Sequence, residues 1–180
     1  MTHSAEQLGS IHVGTAVLLG SFGIETPDRL HDLIRAARTG SPDAIREVLD
    51  GVRRAITAVW PEVTDATLAP VPRHLPGPIH ELVMATCNEI ATARGWRVAA
   101  DALRRTARAP EGKTGGTRDP EAEAGTLSWV GWTPEPVIVL VDDVVRTGAT
   151  IQACARAVRD SGDERRLLAI ALARVDTIRP

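Results

Sequence analysis

Apolar residues recur with two periods along the chain. Leu30, Leu33, Ile34 and Ala37 keep helical spacing, with Thr26-Pro27-Asp28 before them and Gly40 after. Thr26 reads as an N-cap, Pro27 as the first helical position and Gly40 as the stop. Ser41-Pro42-Asp43 repeats the start signal. Ala44, Ile45, Val48, Leu49, Val52, Ile56 and Val59 then carry a second helix to about Trp60, where Pro61 stops it. A third helix is predicted from about Ile79 to Arg94, with Leu82, Val83, Ala85, Thr86, Ile90 and Ala93 inward and Gly95 closing it. Residues 11–22 fit a strand or a short buried turn. Thr67–Pro72 reads as a short strand that runs into the proline-constrained loop Pro72-Arg73-His74. Trp96–Ala99, Trp129-Val130 and Leu167–Leu172 read as further strands. Val137–Val141 is apolar throughout and mostly β-branched, as expected of a strand buried on both faces. A helical stretch follows it to about Asp160, and Ser161-Gly162 ends it.

Strands alternate with helices from about residue 65. That order predicts an α/β fold, a parallel sheet with flanking helices on both faces and right-handed crossovers. The first 60 residues read as helical and outside the alternation, as a cap over the ligand edge of the sheet or as a dimer face. The expected organisation is a single domain over 1–180, with a hood over 1–62 and a core over 63–180. Residues 104–127 lose apolar periodicity. Arginines, Lys113, glycines and threonines interleave there, so most of the stretch reads as a mobile loop.

A length of 180 residues and a hydrophobic fraction of 43% suit one core. The formal net charge of −2 argues against a non-specific nucleic-acid binder. Four Trp, one Phe and no Tyr are too few for a single-strand stacking platform. Cys87 and Cys154 lack metal-ligand spacing and read as buried small apolar residues, which fits a reduced cytoplasm. The run Val13–Phe22 is too short to span a membrane, and no Lys or Arg precedes it to form a signal peptide's basic region. His12, His31 and His80 read as structural or surface residues. Trp96, Trp129 and Trp132 read as core or edge packing. Arginine supplies almost all the positive charge, and Lys113 is the single lysine.

The chemistry concentrates after Val137–Val141. Asp142-Asp143 follows, then Val144-Val145, then the turn Arg146-Thr147-Gly148-Ala149-Thr150 into the next helix. Ligands of open α/β sheets sit at the carboxyl ends of strands. A helix N-terminus offers unpaired N–H groups and the positive end of its dipole, which suits a phosphate. Gly148 permits close backbone approach, and Thr147 and Thr150 add hydroxyl donors. The two carboxylates can grip a vicinal diol or support a hydrated Mg²⁺. An ordinary strand–turn–helix with two surface aspartates remains the bland alternative, although adjacent carboxylates directly beside a core are costly. The P-loop pattern and the Gly-x-Gly-x-x-Gly fingerprint are both absent.

Residues 137–151 resemble the motif that binds 5-phosphoribosyl 1-diphosphate (PRPP) in type I phosphoribosyltransferases: an apolar strand, two acids, a few variable positions, then Thr-Gly-x-Thr. The likeness widens, by order and spacing, to about residues 20–175. Asp28–Gly40, with Leu33-Ile34 and Arg38 before a Gly, is similar to the segment preceding the core of ComF-type members. Ala69-Pro70-Val71-Pro72 is similar to their Val-Pro-Val-Pro strand end, and Thr86–Ala100 to their next helix and strand. Departures are plain. The Cys-rich zinc ribbon common in that group is missing. Its Arg-Gly-Phe-Asn-Gln segment is replaced by Gly77-Pro78-Ile79-His80-Glu81, and the Gln and Arg of its mobile loop are replaced around Lys113 and Glu121.

The resemblance implies an N-terminal hood, a homodimer and Mg²⁺-dependent transfer of phosphoribose to a nitrogenous acceptor. It puts the 5′-phosphate on Arg146, Thr147, Gly148, Ala149 and Thr150, and the ribose hydroxyls on Asp142 and Asp143. The same aspartates meet Mg²⁺ directly or through water. The diphosphate falls on Val71, Pro72, Arg73 and His74, where family members often carry a cis non-proline peptide. Lys113 and Arg118 close over the site and supply positive charge. In 6-oxopurine enzymes an acid precedes Thr-Gly and pairs with the purine N7. Here Arg146 stands there, which argues against hypoxanthine or guanine. Arg146 either braces an anion or simply faces solvent. Two other classes compete with the enzyme: a non-catalytic PRPP or nucleotide sensor, and a ComF-like accessory protein in DNA uptake. The acidic charge and the missing zinc ribbon weaken the last and argue against a nucleic-acid partner, and no membrane partner is expected.

Overall fold

The computed structural model describes residues 14–17, 27–110, 119–131 and 133–174. In chain order the elements are β1 (Gly14–Val17), α1 (Pro27–Arg38), α2 (Pro42–Ile56), β2 (Thr67–Pro70), α3 (Glu81–Arg94), β3 (Arg97–Val98), β4 (Leu103–Arg105), α4 (Pro120–Ala124), β5 (Leu127–Trp129), β6 (Val137–Val145), α5 (Ala149–Asp160) and β7 (Arg166–Arg174). Five strands form one sheet in the order β1-β7-β6-β2-β3, with every pairing parallel. This is the α/β architecture with flanking helices that the alternation predicts.

The long central strand shows why the core divides. On β6, Val137, Val139 and Val141 pack with α1, α2 and α3, whereas Ile138 and Leu140 pack with α5 and the β4–β5 pair. Side chains alternate across a strand, so an all-apolar strand needs cover on both faces. On the first face, α2 presents Ala44, Val48, Val52, Ala55 and Ile56 at helical spacing, and α3 presents Leu82, Val83, Cys87 and Ile90. On the second, α5 presents Ile151, Ala153, Cys154, Ala155, Ala157 and Val158. Both cysteines are buried and unpaired by disulfide, as their setting implies. Burial pushes the Cys87 thiol up to about 12 and raises that of Cys154 as well, so neither is a ready nucleophile. Trp96 and Trp129 are buried packing residues; Trp132 and His12 lie outside the described residues. No described helix is long and apolar enough to cross a membrane.

Four expectations need correction. The first 60 residues do not all stand outside the sheet. β1 pairs with β7 from Gly14↔Leu168 to Val17↔Ala171 and forms its outer edge. The second helix stops at Ile56 rather than near Trp60, because the carbonyls beyond it turn toward the Arg94 guanidinium. The stretch 104–127 carries regular structure at both ends, and residues 111–118 between them lie outside the described residues. Arg105 completes β4, α4 follows Asp119, and β5 pairs antiparallel with β4 from Leu103↔Trp129 to Arg105↔Leu127. A buried ion pair and three inward apolar residues, Leu103, Leu127 and Trp129, hold this unit, a signal hidden among arginines and glycines. Finally, β6 does not end at Val141. It runs to Val145, paired with β7 as far as Val145↔Arg174, so both aspartates lie within the strand.

Candidate active site

Sheet topology selects the place. From β2 the chain passes through α3, on one face, to β3 on one side. From β6 it passes through α5, on the other face, to β7 on the opposite side. The carboxyl ends of the neighbouring strands β2 and β6 therefore form the switch point at which crevices of open α/β sheets arise. A cleft of about 470 Å³ lies there. Its lining includes Val71, Pro72, Arg73 and His74 after β2, and Asp142 through Thr150 after and along β6. These predicted site residues, separated by some 70 positions in sequence, share one cleft. Lys113 and Arg118 fall outside the described residues.

The aspartates are the acidic pole. Asp143 is buried, and Asp142 is partly buried beside it. The Asp143 backbone N–H donates to Asp142 Oδ1 at 2.9 Å. Burial, and next the Asp143 charge, raise the Asp142 carboxyl well above the ordinary carboxylate range. Arg38, the last residue of α1, pairs its Nε with Asp143 Oδ2 at 3.1 Å. The α1–α2 hairpin thus covers a sheet face through its core and reaches the cleft at the C-terminus of α1. No group of three or more metal-ligating His, Cys, Asp or Glu occurs among the described residues. Two carboxylates in an open cleft fit Mg²⁺, which keeps several waters and is commonly shared with substrate phosphates rather than caged by protein.

The turn into α5 is the basic and amide-rich pole. Gly148 sits at φ 79°, and no side chain caps the helix at that position. An added Cβ would meet nothing within 4 Å, so backbone conformation is what demands glycine here. The first turn of α5 carries no acidic residue to compete for its N–H groups, and Thr147 Oγ1 accepts weakly from Ala149 N at 3.4 Å. Arg146 and Thr147 are exposed, and Thr150 is partly buried. Such a helix start accepts an anion.

Across the cleft, Val71 N donates to Val141 O at 2.8 Å and prolongs the ladder by one residue. Val71 and Pro72 are buried, whereas Arg73 and His74 are exposed. No cis peptide occurs among the described residues, so the cis bond that the resemblance implies for this loop is not present. His80 lines the cleft as well, and its Nδ1 caps α3 by accepting from Leu82 N at 3.2 Å.

Among the residues that line this cleft, sequence reasoning missed the charged Arg38, Arg105 and Glu123, and it read His80 as structural or surface. Arg38 ends a helix with its partner more than a hundred positions away. Arg105 and Glu123 look like two of many alternating charges. Only the apolar neighbours of β4 and β5 hinted that this stretch turns inward. Together the cleft gathers arginines and histidines around two aspartates, a setting for a polyanion that carries hydroxyls or a metal.

No family model matches the chain, and no curated protein matches it in sequence. Among solved structures it is similar to adenine phosphoribosyltransferase from Leishmania tarentolae, at 17% identity and a TM-score of 0.41, over 77% of this chain and 74% of that one.

Proposed function

We propose that the protein transfers phosphoribose from PRPP to a nitrogenous acceptor and releases diphosphate. The observation that carries this reading is one cleft, at the β2–β6 switch point, holding three different grips. The uncapped start of α5, with Thr147, Gly148, Ala149 and Thr150, suits the 5′-phosphate. Asp142 and Asp143 suit the ribose hydroxyls. The loop Val71–His74, with exposed Arg73 and His74, suits the diphosphate. Mg²⁺, met by the aspartates directly or through water, would neutralise charge on the diphosphate.

The reaction breaks the C1′–O bond and forms a C1′–N bond, so positive charge gathers at the ribose while the diphosphate leaves. The protein's share is positioning both reactants and stabilising the leaving group. Lys113 and Arg118, which fall in sequence between the cleft residues Arg105 and Glu123, are assigned to that stabilisation. Arg146 opposes a 6-oxopurine, since a guanidinium cannot accept a hydrogen bond from N7–H.

Calorimetric titration of PRPP with Mg²⁺ into the wild type and the Asp142→Asn/Asp143→Asn double variant tests the reading. Saturable binding by the wild type should weaken by about a hundredfold or more, because two charged hydrogen-bonding groups are each worth about 1.5–3 kcal/mol. Thermal unfolding checks that the variant is folded. A screen of nitrogenous bases for diphosphate release then separates transfer from mere sensing. A wild type that binds no PRPP overturns the assignment.

A further inference from the structure

The Arg105–Glu123 pair is buried, lines the cleft and is used by none of the steps above. Their side chains are 1% and 0% exposed, and Arg105 Nη2 meets Glu123 Oε1 at 3.0 Å. Arg105 Nη1 donates to Thr126 Oγ1 at 2.6 Å, and Nε donates to the Arg73 carbonyl at 2.9 Å. One guanidinium therefore ties β4 to α4, to the turn behind α4 and to the loop after β2. A second tie runs parallel, with Ala109 N donating to the His74 carbonyl at 2.8 Å.

A buried ion pair is a poor device for stability. Apolar side chains of similar volume commonly do as well, since desolvation consumes the attraction. What apolar side chains cannot do is aim a carbonyl. The peptide between Arg73 and His74 is planar and trans, so its N–H points opposite to its C=O. By holding the Arg73 carbonyl, Arg105 also sets the direction of the His74 N–H. By holding Arg105 in turn, Glu123 stops the guanidinium from swinging toward an incoming phosphate. The planar fork is matched to three acceptors at once, which a lysine cannot reproduce.

We propose that Arg105, locked by Glu123 and Thr126, is a positioning residue that shapes the Arg73–His74 backbone as the diphosphate-receiving side of the cleft. This rests on the reading of the cleft as a PRPP site. It separates two halves of that site: the loop after β2 depends on Arg105, and the turn after β6 does not.

The test titrates two probes separately, inorganic diphosphate with Mg²⁺ and ribose 5-phosphate, into wild type, Arg105→Lys and Thr126→Val, with thermal unfolding alongside. Diphosphate affinity should fall about tenfold or more in Arg105→Lys and about threefold in Thr126→Val, as expected for lost charge-assisted hydrogen bonds. Ribose 5-phosphate affinity should stay within about twofold of wild type in both. A purely structural role would lower both affinities together, and that result overturns the proposal. A folded Arg105→Lys with unchanged diphosphate binding overturns it too. Should Arg105→Lys fail to fold, Thr126→Val decides, since it keeps the ion pair: selective loss of diphosphate supports the proposal, and no selective loss ends it. A wild type that binds ribose 5-phosphate and PRPP while the variants show no selectivity defeats this inference alone. A wild type that binds neither probe defeats the PRPP reading and this inference with it.

Discussion

Glu135 shows how one carboxylate can join distant strands. Its Oε1 accepts from Arg97 Nε at 2.7 Å and its Oε2 from the buried Thr67 hydroxyl at 2.8 Å, linking the entry to β6 with the starts of β2 and β3. Burial pushes its carboxyl up, but the hydrogen bonds from Arg97 and Thr67 outweigh that and hold it down at about 2. A carboxyl lowered on folding contributes stability above its ordinary value near 4.5, lost as pH falls toward 2. Glu135→Gln should therefore melt below the wild type at pH 7. The difference should shrink through the window from about 4.5 to about 2. Melting temperature against pH for both proteins checks this; a constant gap over that window would mean the charge contributes nothing.

At the scale of elements, Arg94 decides where the α1–α2 hairpin joins the rest. It ends α3, where a cation favours the helix dipole. Its Nη1 donates to the carbonyls of Ile56 and Val59, and its Nη2 to those of Trp60 and Val63, at 2.7–3.0 Å. The guanidinium also lies over the Trp96 ring, 4.4 Å from the centroid. One guanidinium thus gathers four carbonyls at and beyond the end of α2, and Trp60 sits at φ 47° within that turn. Arg94→Met keeps the stem but strips these bonds. It should cost about 2–4 kcal/mol, with Arg94→Lys recovering only part of the loss, measured by urea unfolding. An Arg near the end of a helix is visible in the sequence. That its partners are four carbonyls at and beyond the end of α2 is not, because the approach of α3 to that turn is made by packing.

The whole molecule is centred on β6, which neighbours β7 on one side and β2 on the other and divides two cores. Leu140 is fully buried in the core shared by α5 and the β4–β5 pair. Leu140→Ala should cost about 2–5 kcal/mol, set by how far the cavity can collapse. Urea denaturation followed by tryptophan fluorescence measures it, in one background that keeps only Trp129, in the same core, and one that keeps only Trp96, in the other. Coincident loss of both signals would show that the two cores unfold as one; separate transitions would show two cooperative units. Because the cleft is built from loops on both sides of β6, a cooperative molecule couples the stability of this strand to the geometry of the site.

The sequence by itself determined the local and periodic features. Helices α1, α2 and α3 follow from apolar spacing and from Pro and Gly signals, and β7 and the Val137–Val141 part of β6 from apolar runs, whereas the continuation of β6 through Asp142 and Asp143 to Val145 is set by its pairing with β7. The aspartates, Gly148 and the threonines stand together because one strand–turn–helix is continuous in the chain. Only the tertiary structure decided what comes from far away. Strand order brought Arg73 and His74 opposite the turn after β6, helix packing carried Arg38 to Asp143, and burial turned Arg105 and Glu123 from surface charges into a locked pair. The physical reason is the range of the forces. Propensity, capping and side-chain period act within a few residues, so the sequence displays them. An ion pair across tens of positions forms only where packed elements have already set the distance.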